Sequence, residues 1–146
     1  MACREGGLAK MRDVEIADCG NSGVVSIDQG SKAVVRGGRI VGSKEGHGVL
    51  CQDGGQVELM DVAIADCKKC GVISSGRRSK VVMQGGCTTG SKEYHGVSCQ
   101  KGGHAEVHGV DIHDCKQCGL CCDSISSLTH SGCTVSGCGI GSRCNC

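Results

Sequence analysis

Residues 42–52 read GSKEGHGVLCQ and residues 90–100 read GSKEYHGVSCQ, so one stretch occurs twice, 48 positions apart. The same offset links VEIADC at 14–19, VAIADC at 62–67 and VDIHDC at 110–115. A fixed period over nearly the whole chain is typical of a repeat architecture, in which each unit packs against its neighbours.

A half-period of 24 residues lies inside the longer one and divides the chain into rungs, each a full circuit of a solenoid. Its clearest markers are Ile16, Ile40, Ile64, Thr88 and Ile112, each 24 residues from the next. Gly-Val or Gly-Leu steps begin at Gly23, Gly48, Gly71, Gly96 and Gly119. Their spacing alternates between 25 and 23, so every other rung carries one extra residue before the glycine. The rungs are predicted at 6–29, 30–53, 54–77, 78–101, 102–125 and 126–146.

Each rung has the pattern of short strands. Val57, Leu59, Val62 and Ile64 alternate with polar residues, and no segment has a sustained apolar period of 3.6 residues. Stacked strands would pair as parallel sheets about 4.8 Å apart. The sequence therefore predicts an all-β, right-handed parallel β-helix of about six rungs. Corner glycines, including those before valine, are expected to supply positive φ.

Composition supports a thin, regular core and limits the classes of partner. The chain has 146 residues, 26 of them Gly and 15 Cys, with no Pro and Tyr94 as its one aromatic residue. It is predicted to be a single domain over 1–146, or a fragment of a longer solenoid. A net charge of +1 gives no global attraction to nucleic acid or to an anionic membrane. With no signal peptide or membrane span in view, we expect a cytoplasmic protein with reduced thiols.

Repeats of the form VxIxxCxxxGV resemble those of the pectin-lyase-like superfamily of right-handed parallel β-helices. The resemblance covers most of residues 6–125. It implies the fold, with a left-handed β-helix as the alternative, and leaves the function open. That superfamily includes polysaccharide lyases and hydrolases as well as non-enzymatic repeat domains.

A polysaccharide-degrading enzyme is one function that the resemblance allows. Polygalacturonases carry a Gly-His-Gly motif, which Gly46-His47-Gly48 matches, whereas Tyr94 replaces the first glycine in the next copy. The paired aspartates that the family uses as acid and base have no counterpart here, because the chain contains no Asp-Asp pair. The sequence thus favours a protein that is not an enzyme and has no catalytic residues.

One column of histidines and cysteines suggests a metal. The position before each glycine step is predicted to face outward and alternates His and Cys; we call it the His/Cys column, and it comprises Ser22, His47, Cys70, His95 and Cys118. Cys67 and Cys115 precede two of its members in CxxC pairs, a spacing that zinc sites use. The candidate ligands are His47, Cys67, Cys70, His95, Cys115 and Cys118. Alternatively the alternation is a relic of duplication, and no cofactor is required.

Three further columns favour structural roles. An inward stack of thiols and hydroxyls is predicted for Ser26, Cys51, Ser74, Cys99 and Cys122, where a Cys99–Cys122 disulfide is sterically allowed. Turn roles that cap backbone N–H groups are predicted for Asp18, Asp66 and Asp114. The last set is basic and comprises Lys32, Lys44, Lys68, Lys69, Lys80, Lys92 and Lys116. The period places Lys44 and Lys92 two rungs apart on one corner beside Glu45 and Glu93, which predicts a solvated corner with local ion pairs.

The leading functional prediction is a binding scaffold that presents one solenoid face to a protein or carbohydrate partner. Open strand edges at the ends of a β-helix also suggest end-to-end self-association. Cys138, Cys144 and Cys146 are candidates to staple the last rung by a disulfide or a metal.

Overall fold

The computed structural model describes residues 1–145, and within that range it contains seventeen strands and no helix. A seven-stranded sheet comprises β1 (Ala2–Cys3), β3 (Val24–Ile27), β5 (Val49–Gln52), β8 (Val72–Ser75), β11 (Val97–Gln100), β14 (Cys118–Cys122) and β17 (Gly141–Asn145). A ten-stranded sheet comprises β2 (Leu8–Ala17), β4 (Lys32–Val41), β6 (Gln56–Met60), β7 (Ala63–Ala65), β9 (Lys80–Gln84), β10 (Cys87–Thr89), β12 (His104–His108), β13 (Asp111–His113), β15 (Ser127–Ser131) and β16 (Thr134–Ser136). No segment of residues 1–145 forms a helix that is long and apolar enough to cross a membrane.

Every strand pair is parallel, and the register reproduces the sequence period. Ile16, Ile40, Ile64, Thr88 and Ile112 stack as direct partners, each one rung from the next. In the other sheet Val24 pairs with Val49, and Val49 with Val72, so the spacing of 25 and then 23 residues is confirmed. The predicted solenoid of six stacked rungs is therefore confirmed, including the extra residue in alternate rungs.

The core is a set of stacked columns of small apolar side chains. Ile40, Ile64 and Ile112 are fully buried, and so are Val24, Val49 and Val72 from the opposite sheet. Alternate strand residues point inward because successive side chains in a strand lie on opposite faces of the sheet. This arrangement builds a continuous core without large aromatic side chains.

Aspartate and glycine alternate at one corner between the strands. Asp18, Asp66 and Asp114 have φ values of 51°, 54° and 55°, and Gly42 and Gly90 take φ of 71° and 65° in the intervening rungs. Aspartate is one of the few residues with a side chain that enters this left-handed region readily. These aspartates lie in turns, as predicted, and the basis for aspartate there is backbone conformation; their predicted capping of backbone N–H groups stays a prediction.

The glycines before valine serve a different purpose from the one predicted. Gly23, Gly48, Gly71 and Gly96 do not have positive φ, so that expectation is wrong for them. Glycine is required here for steric reasons. A Cβ on Gly48 would lie 2.5 Å from Ile64 Cγ2 and 2.6 Å from the carbonyl oxygen of Gly71. Close approach of the backbone to the next rung therefore requires glycine here.

Candidate functional site

The His/Cys column is buried, so the prediction that it faces outward is wrong. Cys70 is 2% exposed, His95 5% and Cys118 0%, while His47 is half-buried. The column occupies the corner directly before the inward-facing valines. At His47 and His95 the ring Nδ1 faces a backbone N–H of the next rung.

Members of the column accept hydrogen bonds from the equivalent residue one rung further on. The N–H of His47 donates to Ser22 Oγ at 3.1 Å, and the N–H of Cys70 donates to His47 Nδ1 at 3.2 Å. The N–H of Cys118 donates to His95 Nδ1 at 3.2 Å. A backbone N–H that is buried without a partner is costly, so this position requires an acceptor side chain. The alternation of His and Cys is therefore compatible with a purely structural role.

Burial keeps the two imidazoles neutral. It lowers the pKa of His47 to about 4, with a smaller contribution from the positive charge of Lys69. Burial also lowers the pKa of His95. These hydrogen bonds require a neutral ring, because Nδ1 can accept a hydrogen bond only when it carries no proton itself.

Three of the four CxxC cysteines, Cys67, Cys70 and Cys115, are buried free thiols. Cys67 Sγ donates to the carbonyl of Ala65, and Cys115 Sγ to that of His113, both at 3.5 Å. Burial raises the pKa of Cys67, and raises that of Cys70 to about 12 and that of Cys115 to about 11. Thiols that resist ionisation are poor nucleophiles.

Within residues 1–145, the ligand atoms of three potential metal-binding side chains lie within 4.8 Å of one another at one place, formed by His95, Cys118 and Cys144. The structure thus brings together two of the six predicted ligands and adds Cys144. It does not gather His47, Cys67, Cys70 and Cys115 into such a group. The sequence signal for Cys144 is its place in the last rung, where a disulfide or a metal is predicted.

A disulfide joins Cys118 to Cys144, whose Cα atoms are 6.1 Å apart. The expectation of reduced thiols is therefore wrong for this pair. The prediction that Cys144 fastens the last rung is confirmed, by a disulfide. Cys146 lies outside the described residues. Cys99 is a free thiol, so the alternative Cys99–Cys122 disulfide is not formed.

The predicted inward stack of thiols and hydroxyls is confirmed. Ser26, Cys51, Ser74 and Cys99 are fully buried, and Cys122 is buried as well. Burial raises the pKa of both Cys51 and Cys99 to about 12.

The predicted lysine corner has mixed charge. Lys68 Nζ lies 2.6 Å from Glu45 Oε2, which confirms a local ion pair. The groove there has a volume of about 580 Å³, and its charged lining residues are Asp18, Lys44, Asp66, Lys68, Lys92, Glu93 and Lys116. The acids offset much of the positive charge, so this corner offers little attraction to an anion.

A second groove is more basic; of its residues only Lys32 belongs to the basic set predicted from the sequence, and it lies here rather than at the lysine corner. It has a volume of about 710 Å³ and lies on the outward face of β2, β4 and β6; we call it the basic groove, and its charged lining residues are Lys10, Arg12, Lys32, Arg36 and Glu58. The Nζ atom of Lys32 lies 2.5 Å from Glu58 Oε1, so this one acid is already paired. Arg12 and Arg36 are direct partners across the β2–β4 pair. Their 24-residue spacing is the sequence signal that could have found the groove.

Residues 47–145, more than half of the 146-residue chain, match the family model described as a right-handed β-helix region. No curated protein and no solved structure matches the chain.

Proposed function

The chain belongs to the right-handed β-helix family, and from that premise we propose that it is a non-enzymatic scaffold whose basic groove holds an acidic segment of a partner protein. The observation that carries the proposal is the cluster of four basic side chains around one groove of about 710 Å³. Sheet faces of a solenoid are rigid and regular, so they suit extended partners.

Charge gives the groove its selectivity. Lys10, Arg12 and Arg36 remain after the pairing of Lys32 with Glu58. Asp13 and Asp61 line a neighbouring groove that shares Arg12 and Arg36. A partner with carboxylates spaced along an extended strand would find its counter-charges here, mainly as a gain in association rate and specificity.

The floor of the groove favours a peptide over a sugar. Leu8 and Val34 line it with aliphatic carbon, and Leu8 is 62% exposed. Sugars usually stack on aromatic rings, and the one aromatic residue, Tyr94, lies outside the groove. An acidic peptide with aliphatic side chains would use both the floor and the charges.

Polysaccharide cleavage has less support. His47 is the residue that matches the Gly-His-Gly motif, and its Nδ1 accepts a hydrogen bond from the N–H of Cys70 at 3.2 Å. Its pKa of about 4 keeps the ring neutral at physiological pH. Both properties suit a ring that serves the fold.

The test is fluorescence anisotropy with a labelled glutamate-rich peptide containing leucine, at low and high salt. We expect binding that weakens as salt rises, because screening shortens the range of charge interactions from about 10 Å at 0.1 M to about 3 Å at 1 M. The double variant Arg12→Glu/Arg36→Glu should lower the affinity by at least about tenfold, the equivalent of roughly 1.4 kcal/mol.

The matched control is Lys44→Glu/Lys92→Glu, which changes the net charge equally at the lysine corner. If both double variants weaken binding alike, the attraction is only general charge and the groove is not the site. A uronic acid oligosaccharide is the third probe. If it binds in a way that requires Arg12 and Arg36 while the peptide does not bind, the partner is a glycan and the proposal of a protein segment fails.

A further inference from the structure

We propose that His95, Cys118 and Cys144 form a zinc site when the Cys118–Cys144 disulfide is reduced. The ligand atoms would be His95 Nδ1 and the two sulfurs. Three protein ligands leave the fourth tetrahedral position of zinc to a water molecule.

The distances suit zinc. Cys144 Sγ lies 4.0 Å from His95 Nδ1, and all three ligand atoms lie within 4.8 Å of one another. Tetrahedral zinc with Zn–S near 2.3 Å and Zn–N near 2.0–2.1 Å places two sulfurs about 3.8 Å apart and a sulfur about 3.6 Å from a nitrogen. Cys144 Sγ and His95 Nδ1 thus need to approach by only a few tenths of an ångström. Breaking the disulfide frees the two sulfurs to separate to the required distance.

The site exists because the repeat is broken in the last rung. In the register of β14 and β17, Cys144 lies beside Cys121, which stands three residues after Cys118. Around the earlier pair, His47 and Cys70, the equivalent position is held by Ser98, which pairs with Ile73. Serine is a much weaker zinc ligand than a thiolate, so the earlier rungs offer the same histidine and cysteine without the third ligand.

Burial supports a specific site rather than surface adsorption. His95 is 5% exposed and Cys118 0%. Zinc on Nδ1 would replace the hydrogen bond that this atom accepts from the N–H of Cys118. One backbone hydrogen bond is therefore exchanged for a coordinate bond.

The metal and the disulfide exclude each other because they use the same two sulfurs. Reduction adds two electrons and two protons to the disulfide and yields two thiols; a phosphine reductant supplies the electrons and becomes the phosphine oxide with oxygen from water. Zinc then displaces the two thiol protons. A hydroperoxide reverses the process: it takes two electrons from the two thiolates, which rejoin as the disulfide and release zinc, and with two protons from the solvent it is reduced to an alcohol and water.

The experiment titrates Co²⁺ into the full chain after phosphine reduction, follows the sulfur-to-cobalt charge-transfer absorption, and then displaces Co²⁺ with Zn²⁺. We expect one Co²⁺ per reduced chain, displaced by one Zn²⁺, and no binding to the oxidised chain. Cys144→Ser and His95→Ser should each weaken binding by at least about tenfold. Serine preserves an acceptor for the N–H of Cys118, because Ser22 accepts the N–H of His47 at the same place in the column.

The matched control is His47→Ser, which changes the same position two rungs away and should leave metal affinity unchanged. Circular dichroism of each variant establishes that it is folded; if Cys144→Ser fails to fold, His95→Ser decides. Absence of charge-transfer absorption in the reduced wild-type chain would overturn the proposal. So would metal binding that survives both ligand variants, or that disappears in His47→Ser.

Discussion

Replacing Gly48 with alanine tests whether the glycine steps are required for room rather than for conformation. A Cβ at Gly48 would lie 2.5 Å from Ile64 Cγ2, 2.6 Å from the oxygen of Gly71 and 2.9 Å from Cys67 Sγ. Ordinary contact begins at about 3.5 Å, so the neighbouring rung would have to move by nearly 1 Å. Because the N–H of Val49 donates to that same oxygen at 2.8 Å, the shift would break a backbone hydrogen bond.

The expected loss of stability follows from two costs. Overpacking of a close-packed core costs about 1–3 kcal/mol. A lost backbone hydrogen bond adds about 1 kcal/mol. The free energy of unfolding should therefore fall by roughly 2–4 kcal/mol, a large share of the 5–15 kcal/mol typical of a domain.

Urea unfolding followed by far-ultraviolet circular dichroism measures this, because the chain has one tyrosine and no tryptophan to report by fluorescence. The matched control is Gly20→Ala: Gly20 has no positive φ, and a Cβ there would meet no atom within 4 Å. It should change stability by less than about 0.5 kcal/mol. If Gly48→Ala is no less stable than Gly20→Ala, close approach is not what selects glycine at these steps.

Three further predictions concern buried polar groups. The pKa of His47 is lowered to about 4 from 6.5, so its contribution to stability is complete above pH 6.5 and is lost as the pH falls towards 4. The loss should reach roughly 2 kcal/mol at pH 5; urea unfolding of wild type and His47→Ser at pH 7 and pH 5 checks this, and equal acid losses would contradict it. The pKa values of Cys51 and Cys99 are raised from 9.0 to about 12, so their contribution is complete below pH 9 and is lost as the pH rises towards 12. By pH 10 the free energy of unfolding should fall by about 1.4 kcal/mol for each thiol. The double variant Cys51→Ser/Cys99→Ser, which copies the serines of the same column, should lose less stability than the wild type between pH 8 and pH 10. An equally steep loss in the variant would mean that these two thiols are not its cause. Thr88 is fully buried, and its Oγ1 has no hydrogen-bond partner among the described residues. Thr88→Val should therefore increase the free energy of unfolding by about 1 kcal/mol and raise the midpoint of thermal unfolding. A lower midpoint would mean that the hydroxyl is hydrogen-bonded in solution.

The architecture could be predicted from the sequence because, in a solenoid, residues one repeat apart in the sequence are neighbours in adjacent strands. The 24-residue spacing of Ile16, Ile40 and Ile64 fixes which residues stack, and the structure pairs them directly. Alternation within a strand then decided which columns face inward, as Cys51 and Cys99 demonstrate. Local pattern and global fold agree here at every level.

The role of the His/Cys column could not be predicted in the same way. Its members stand at a corner, where strand alternation no longer determines whether a side chain points in or out. Periodicity cannot reveal that the His47 ring accepts a backbone hydrogen bond from Cys70, because that depends on how the corner folds over the next rung. For the same reason it could not distinguish glycines that need positive φ from Gly48, which needs room.

The two proposed sites lie where the repeat gives way to unlike residues. In the column of Lys10 the next two rungs carry Val34 and Glu58, and in the column of Arg12 they carry Arg36 and Met60. Cys144 likewise replaces Ser98 two rungs on in its column. A search for repeats emphasises what recurs, so it passes over such exceptions.

The most direct test of the scaffold proposal is a nitrogen–proton correlation spectrum of the labelled chain, recorded while a glutamate-rich peptide is added. The chain has 146 residues, a size at which individual amide signals can be followed. We expect peptide-dependent shifts confined to residues 8–12 and 32–36, which carry the basic groove. Shifts centred on Lys44, Lys68 and Lys92 instead, or no shifts at concentrations where anisotropy reports binding, would contradict the account.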